Sequence, residues 1–147
     1  MDISDQDRAE RSAQAMLAND TATQGLGMEL EAVGPGTAQL RMCVGDQMLN
    51  GHSTCHGGYL FTLADSAFAV ACNTFNQVAV ASSASIEFMA PAYAGDVLTA
   101  EASLQSQGRR TGLYDVIVSN QKQQRIALFR GRSHRIGKPL FDENAEA

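Results

Sequence analysis

His56-Gly57-Gly58-Tyr59-Leu60-Phe61-Thr62-Leu63-Ala64-Asp65-Ser66-Ala67-Phe68-Ala69-Val70-Ala71-Cys72-Asn73 is rich in alanine, contains no proline, and has no helix breaker after its glycine pair. These features predict a helix from about Gly57 to Asn73. Apolar residues fall on every side of the turn, which predicts a helix buried all round rather than an amphipathic surface one. A helix of that kind needs a covering layer, and its flanks supply one.

Upstream, Met28–Val33 leads through Gly34-Pro35-Gly36 into Thr37–Val44. There Ala38, Leu40, Met42 and Val44 alternate with Thr37, Gln39, Arg41 and Cys43. Period-two alternation marks a strand with one buried face. A polar, glycine-bearing loop follows from Asp46 to His56. Downstream, Val78–Met89, Val97–Gln105, Gly112–Asn120 and Arg125–Ser133 read as four more strands. Pro91 with Gly95-Asp96, Gly108-Arg109 and Gln121–Gln124 punctuate them as turns. These last strands follow one another without intervening helices, so most pairing should be antiparallel. Residues 5–18 form a short polar helix with Ala9, Ala13, Met16 and Leu17 on its apolar side. The expected class is α+β, one sheet wrapped around one helix.

At 147 residues the chain suits one domain. Apolar residues make up 44% and charged residues 18%, a globular balance. No window approaches the ~18 apolar residues of a membrane span. The acidic start, with Asp2, Asp5, Asp7 and Glu10, does not resemble a secretory leader. Cys43, Cys55 and Cys72 make an odd number in no disulfide framework, which points to reduced thiols in a cytoplasm. The net charge is −5, yet residues 109–138 hold eight Lys or Arg against Asp115 alone. That segment is +7 and the remainder −12. Such a protein attracts a phosphorylated ligand locally and repels nucleic acid as a whole. Outward positions on exposed strands account for the same charges without any ligand.

Asp65 is the one ionised residue between Gly57 and Asn73. At helical spacing it meets Phe61, Thr62, Phe68, Ala69 and Cys72. Burial there disfavours its charged form and raises its pKa, a setting enriched at catalytic sites. The alternative is a structural Asp hydrogen-bonded to backbone amides. Gly57-Gly58 opens the helix, where free N–H groups and the positive end of the dipole suit a developing oxyanion. Gly57 and Asp65 lie about 12 Å apart along a helix axis, at ~1.5 Å per residue. One helix therefore cannot present both groups to one carbonyl, and joint action requires a second copy related by a two-fold axis.

Gln47-Met48-Leu49-Asn50-Gly51-His52, Cys55-His56-Gly57-Gly58, Leu60-Phe61, Leu63-Ala64-Asp65, Ala94-Gly95-Asp96, Thr111-Gly112-Leu113-Tyr114-Asp115 and Leu128-Phe129-Arg130-Gly131 together resemble the PaaI-type thioesterases of phenylacetic acid degradation. The likeness covers roughly residues 14–137. It implies a hotdog fold, a tetramer built from dimers, and hydrolysis of acyl-CoA thioesters, including ring-hydroxylated phenylacetyl-CoA, with no cofactor. By position, it implies that the Gly57 amide polarises the thioester carbonyl and that Asp65 of the partner acts as nucleophile or general base. Asn50 would hold the carbonyl or the water, and His56 would shape the helix start or assist nearby. Ser82, Ser83 and Ser85 compete as water-positioning groups.

Gly58 is a further candidate for substrate binding. Arg109, Arg110, Arg132, His134 and Arg135 are candidates for the CoA phosphates by charge. Met48, Leu49, Phe61 and Phe68 would suit an aromatic or medium acyl group as pocket residues, and would equally serve as ordinary core. His52, Cys55 and His56 lack the second ligand cluster of a zinc site, and no metal is expected. There is no G-x-S-x-G elbow and no P-loop. A dehydratase or hydratase of the same fold, using His52 or His56 with the acid, remains an alternative, as does an acyl-CoA-binding module without catalysis.

Overall fold

In a computed structural model that describes residues 2–145, six antiparallel strands form one sheet in the order β1-β2-β4-β5-β6-β3. They are β1 (Glu29–Gly34), β2 (Thr37–Cys43), β3 (Ala79–Phe88), β4 (Val97–Gln107), β5 (Thr111–Ser119) and β6 (Arg125–Arg135). The helix α3 (Gly57–Cys72) packs on one face of this sheet, and α1 (Asp5–Ala18) lies against α3 and β1. This is the hotdog arrangement expected from the sequence. Two elements are additional: a short helix α2 (Thr21–Gly25), and a single 3-10 turn at Asp46–Met48 inside the loop before α3.

The alternating residues bury as their pattern demands. Ala38, Leu40 and Met42 of β2, Leu98, Ala100 and Ala102 of β4, and Tyr114, Val116 and Val118 of β5 are all at most 4% exposed and face α3. Phe68 is the helix's principal knob, packed on Tyr114 and Phe129 with ring centroids 5.7 Å away in each case. The sheet accepts it at Gly131, where an added Cβ would come within 2.8 Å of the Phe68 ring. Glycine here lets helix and sheet approach closely.

The end of α3 is clasped to the start of β3 by buried Asn73. Its Nδ2 donates to the carbonyls of Ala69 (2.8 Å) and Ala79 (3.1 Å), and its Oδ1 accepts from the Ala79 amide (2.9 Å). At the far end of the chain, Asn76 (φ 56°) holds the C-terminal tail. It accepts from the Leu140 and Phe141 amides and donates to Phe141 O and Glu143. Glu143 also forms a two-point ion pair with Arg8 of α1.

One departure from expectation and one feature of the sheet bear on function. First, α3 is not buried all round. Leu60, Leu63, Ala67, Phe68 and Ala71 meet the sheet, but Gly58 is exposed and Thr62, Asp65 and Ala69 are half-buried along one stripe. The sheet covers one side of a helix whose opposite side is built of small residues. Second, β3 is an edge strand, paired only with β6 and exposed over most of its length on both faces. No helix among the described residues is long and apolar enough to cross a membrane.

Candidate active site

The first turn of α3 disposes of its amides unequally. Tyr59 N and Leu60 N donate to the His56 carbonyl (3.0 and 3.4 Å), and Gly58 N donates to His56 Nδ1 (2.9 Å). His56 is thus the N-cap, and its Nδ1 acts as acceptor, which leaves the ring proton of the neutral imidazole on Nε2. Among the described residues only Gly57 of this turn has an N–H without a partner. Gly58, expected to offer a second free amide to substrate, does not: its hydrogen is taken by the cap.

Asn50 sits beside this amide. Its Oδ1 accepts from His52 N (2.9 Å), Thr54 N (3.2 Å) and Thr54 Oγ1 (3.2 Å), which folds residues 50–54 into a tight loop. That loop is anchored to α3 by the bond from His56 N to Met48 O (2.8 Å). With Oδ1 engaged, Asn50 keeps its Nδ2 hydrogens for a ligand. Asn50 and Gly57 line one cleft of about 460 Å³, together with Leu60, Phe88, Met89 and Pro91. Phe88 is 56% exposed and lies against Gly57, where an added Cβ would come within 2.9 Å of the ring. Phe88 and Met89 carry no sequence signal that separates them from ordinary strand residues.

Asp65 lies two turns along, on the half-buried stripe. Burial pushes its carboxyl above the usual aspartate range, and the negative charge of Asp20 pushes it further. No hydrogen bond offsets either effect, so the alternative of a structural aspartate satisfied by backbone amides is not what the protomer contains. Cys72 stands behind it on α3, its thiol pushed up to about 12 by burial first and by Asp65 among smaller causes. A donor, a polar amide and an unpaired base are all present. The base is separated from the donor by the helix length already noted.

The basic residues gather elsewhere. Arg109, Arg110 and His134 line a cleft of about 580 Å³ with Arg135, Gln77, Ile136 and Gly137. Arg132 is exposed on β6 but does not line it. This cleft adjoins the start of β3, whereas the Gly57 cleft adjoins its end. Ten strand residues at ~3.3 Å each hold them roughly 30 Å apart in one protomer.

Of the three serines, Ser82 is the bulged residue of β3, and its Oγ donates to the Arg132 carbonyl (3.2 Å). Ser83 and Ser85 are exposed and pair with Arg132 and Arg130. The candidate acyl-pocket residues Met48 and Phe68 are instead core, 3% and 1% exposed, while Leu49 and Phe61 are half-buried outside the Gly57 cleft. All three cysteines are free.

A sequence model of the family described as Thioesterase superfamily matches residues 52–127, the span from the loop before α3 into β6. The chain is 49% identical over 136 residues to the acyl-coenzyme A thioesterase PaaI of Escherichia coli (strain K12), covering 92% of this chain and 97% of that protein. The structure of the E. coli PaaI protein from the phenylacetic acid degradation operon superposes with a TM-score of 0.91, covering 92% of this chain and 99% of that one. A Streptococcus mutans UA159 protein solved bound to acetyl CoA is 28% identical, with a TM-score of 0.74 over 76% of this chain and 90% of its own.

Proposed function

Because the chain belongs to the thioesterase superfamily, we propose that it hydrolyses the thioester of phenylacetyl-CoA, its ring-hydroxylated forms, or related aryl and medium-chain acyl-CoA, releasing the free acid and CoA. The observation that carries this reading is the unequal use of the α3 amides. Gly57 N–H alone is left open, in the same cleft as the free Nδ2 of Asn50. Two donors converging on one carbonyl oxygen stabilise the negative charge that develops as the tetrahedral intermediate forms. Loss of one such donor typically costs roughly a hundred- to a thousandfold in rate.

The attack comes from Asp65, whose raised proton affinity suits either role open to it. As general base it takes a proton from water, which then adds to the carbonyl. As nucleophile it forms a mixed anhydride that water later opens. In both cases the C–S bond breaks and CoA leaves as a thiolate that picks up a proton. The acid is supplied by a second copy of the chain. Two-fold pairing of the free β3 edges would bring the small-residue stripes of two α3 helices face to face and set Asp65 of each against the Gly57 of the other. The same pairing is antiparallel, so the start of one β3 lies beside the end of the next. The Arg109, Arg110 and His134 cleft of the partner then borders the Gly57 cleft, where CoA phosphates belong. Arg132, on the adjoining face of β6, extends that positive field. A tetramer of two such dimers, in the cytoplasm where the free thiols stay reduced, completes the reading.

The test is release of thiol from phenylacetyl-CoA, followed with a thiol reagent, with an aliphatic panel alongside. Wild type is expected to liberate CoA, and Asp65→Asn to lose most turnover while still binding substrate. Inactive Gly57→Pro and Asp65→Asn chains, mixed and refolded, should regain activity through hybrid dimers that hold one intact site. Addition of water to an enoyl-CoA without thiol release, or binding without turnover in wild type, would overturn the proposal.

A further inference from the structure

Asp20, outside both clefts, is tied to the catalytic helix by a buried polar chain. It caps α2, with Oδ1 accepting from Thr23 N (3.0 Å) and Oδ2 accepting from Thr23 Oγ1 (2.7 Å). Thr23 Oγ1 lies 2.8 Å from Ser66 Oγ, and these hydroxyl residues are 2% and 9% exposed. A carboxylate only accepts, so the Thr23 hydroxyl proton points at Asp20 and the Ser66 hydroxyl must donate to Thr23. The direction of the chain is therefore set by the charge on Asp20. Its other end is the residue that follows Asp65.

We propose that Asp20 is a positioning residue for Asp65: through Thr23 and Ser66 it fixes the α3 turn that carries the acid, and its anchored negative charge keeps that acid a competent base. This rests on the role given to Asp65 above. The titratable surroundings of Asp65 within the protomer are few. Asp20 acts on it from the start of α2, the neutral Cys72 thiol stands on its own helix, and among the described residues neither carboxylate forms an ion pair. Two like charges held near each other favour protonation of the one that is less well hydrogen-bonded. Asp20 has its hydrogen bonds, whereas Asp65 has none among the described residues. The charge of Asp20 thus adds to the proton affinity of Asp65, which makes the ionised carboxylate a stronger base toward water.

The experiment compares pH profiles of thioester hydrolysis for wild type, Asp20→Asn and Asp20→Glu. Asparagine removes the charge and glutamate restores it. Asp20→Asn is expected to move the acid limb of kcat/KM to lower pH and to lower the plateau kcat about threefold, as a weaker base transfers protons less well. KM should stay where it was, because Asp20 touches neither cleft. Asp20→Glu should return both the limb and kcat toward wild type. Asp20→Ser, which keeps a capping oxygen without charge, gives the same shift if the asparagine variant folds poorly. NMR titration of the Asp65 carboxyl with isotope-labelled aspartate reads the effect even in an enzyme too slow to assay.

Asp65→Asn is run alongside. If it stays fully active, the role of Asp65 falls, and this proposal with it. If it is dead and the Asp20→Asn profile does not move, only the positioning role falls.

Discussion

The ring of Phe88 rests on the Cα of Gly57, so near that a Cβ at position 57 would stand 2.9 Å from its Cζ. An edge strand thereby touches the residue whose amide is left open at the start of α3. Glycine at this position leaves room both for the ring and for a substrate carbonyl.

Gly57→Ala keeps the N–H but forces the ring away. We expect kcat/KM for phenylacetyl-CoA to fall at least about tenfold, equivalent to roughly 1.4 kcal/mol of lost transition-state binding. Phe88→Leu in the same chain should recover part of the loss, because the smaller side chain yields the space. A double variant no better than Gly57→Ala would show that the contact is not the cause.

Asp65 should limit stability at neutral pH. Its pKa in the folded chain lies above the ordinary 3.8, so below that value both states are protonated and no penalty exists. As pH rises the unfolded chain releases the proton first, and the folded state loses relative stability until its own pKa is passed. Asp65→Asn, which cannot ionise, should raise Tm at pH 7 and lose that advantage near pH 3.5. Thermal melts across this range check the sign. Equal gains at both pH values would mean that charge is not responsible.

The basic cleft makes a separable demand. Replacing Arg109 and Arg110 together by alanine should raise KM about tenfold, the effect of roughly 1.4 kcal/mol of phosphate contact, with kcat nearly unchanged. Wild-type KM should climb with salt more steeply than that of the variant. A fall in kcat at constant KM would remove these arginines from substrate binding.

Asn76 carries the tail. Its side chain makes four hydrogen bonds from a position 6% exposed, at a φ of 56° that asparagine tolerates better than most residues. Asn76→Ala should cost about 1–3 kcal/mol through the tail groups left unpaired. Hydrogen exchange should quicken at the Leu140 and Phe141 amides before it does in the sheet. Unchanged protection there would show that the tail is held by other contacts.

Much of this was legible from residue order. The alternation of Ala38, Leu40 and Met42 gave the face of β2, and the span from Gly57 to Asn73 gave α3 with its cap residue Asn73 just outside. The openness of the stripe of Gly58, Thr62, Asp65 and Ala69 is not legible in the sequence, because small residues on a helix look the same whether they face a sheet or open space. Gly57 and Gly58 could not be ranked either, since the difference is made by the rotation of the His56 ring. Phe88 meets Gly57 only through the folding of the sheet, which no local pattern records. For Met48 and Phe68 the sequence leaves pocket and core equally open, because apolar character does not tell depth, and the fold places both in the core. The Asp20 chain had a visible trace, an aspartate three residues before a threonine in the manner of a helix cap, but Ser66 as its other end is a tertiary fact.

One strand laces the two ends of α3. β3 leaves from the Asn73 clasp and finishes with an aromatic ring against the amide donor, while its outer edge stays open along the way. A peptide that wedged into that edge would compete with the second copy of the chain rather than with substrate. Its potency would fall as the protein concentration rises and would be indifferent to the concentration of substrate.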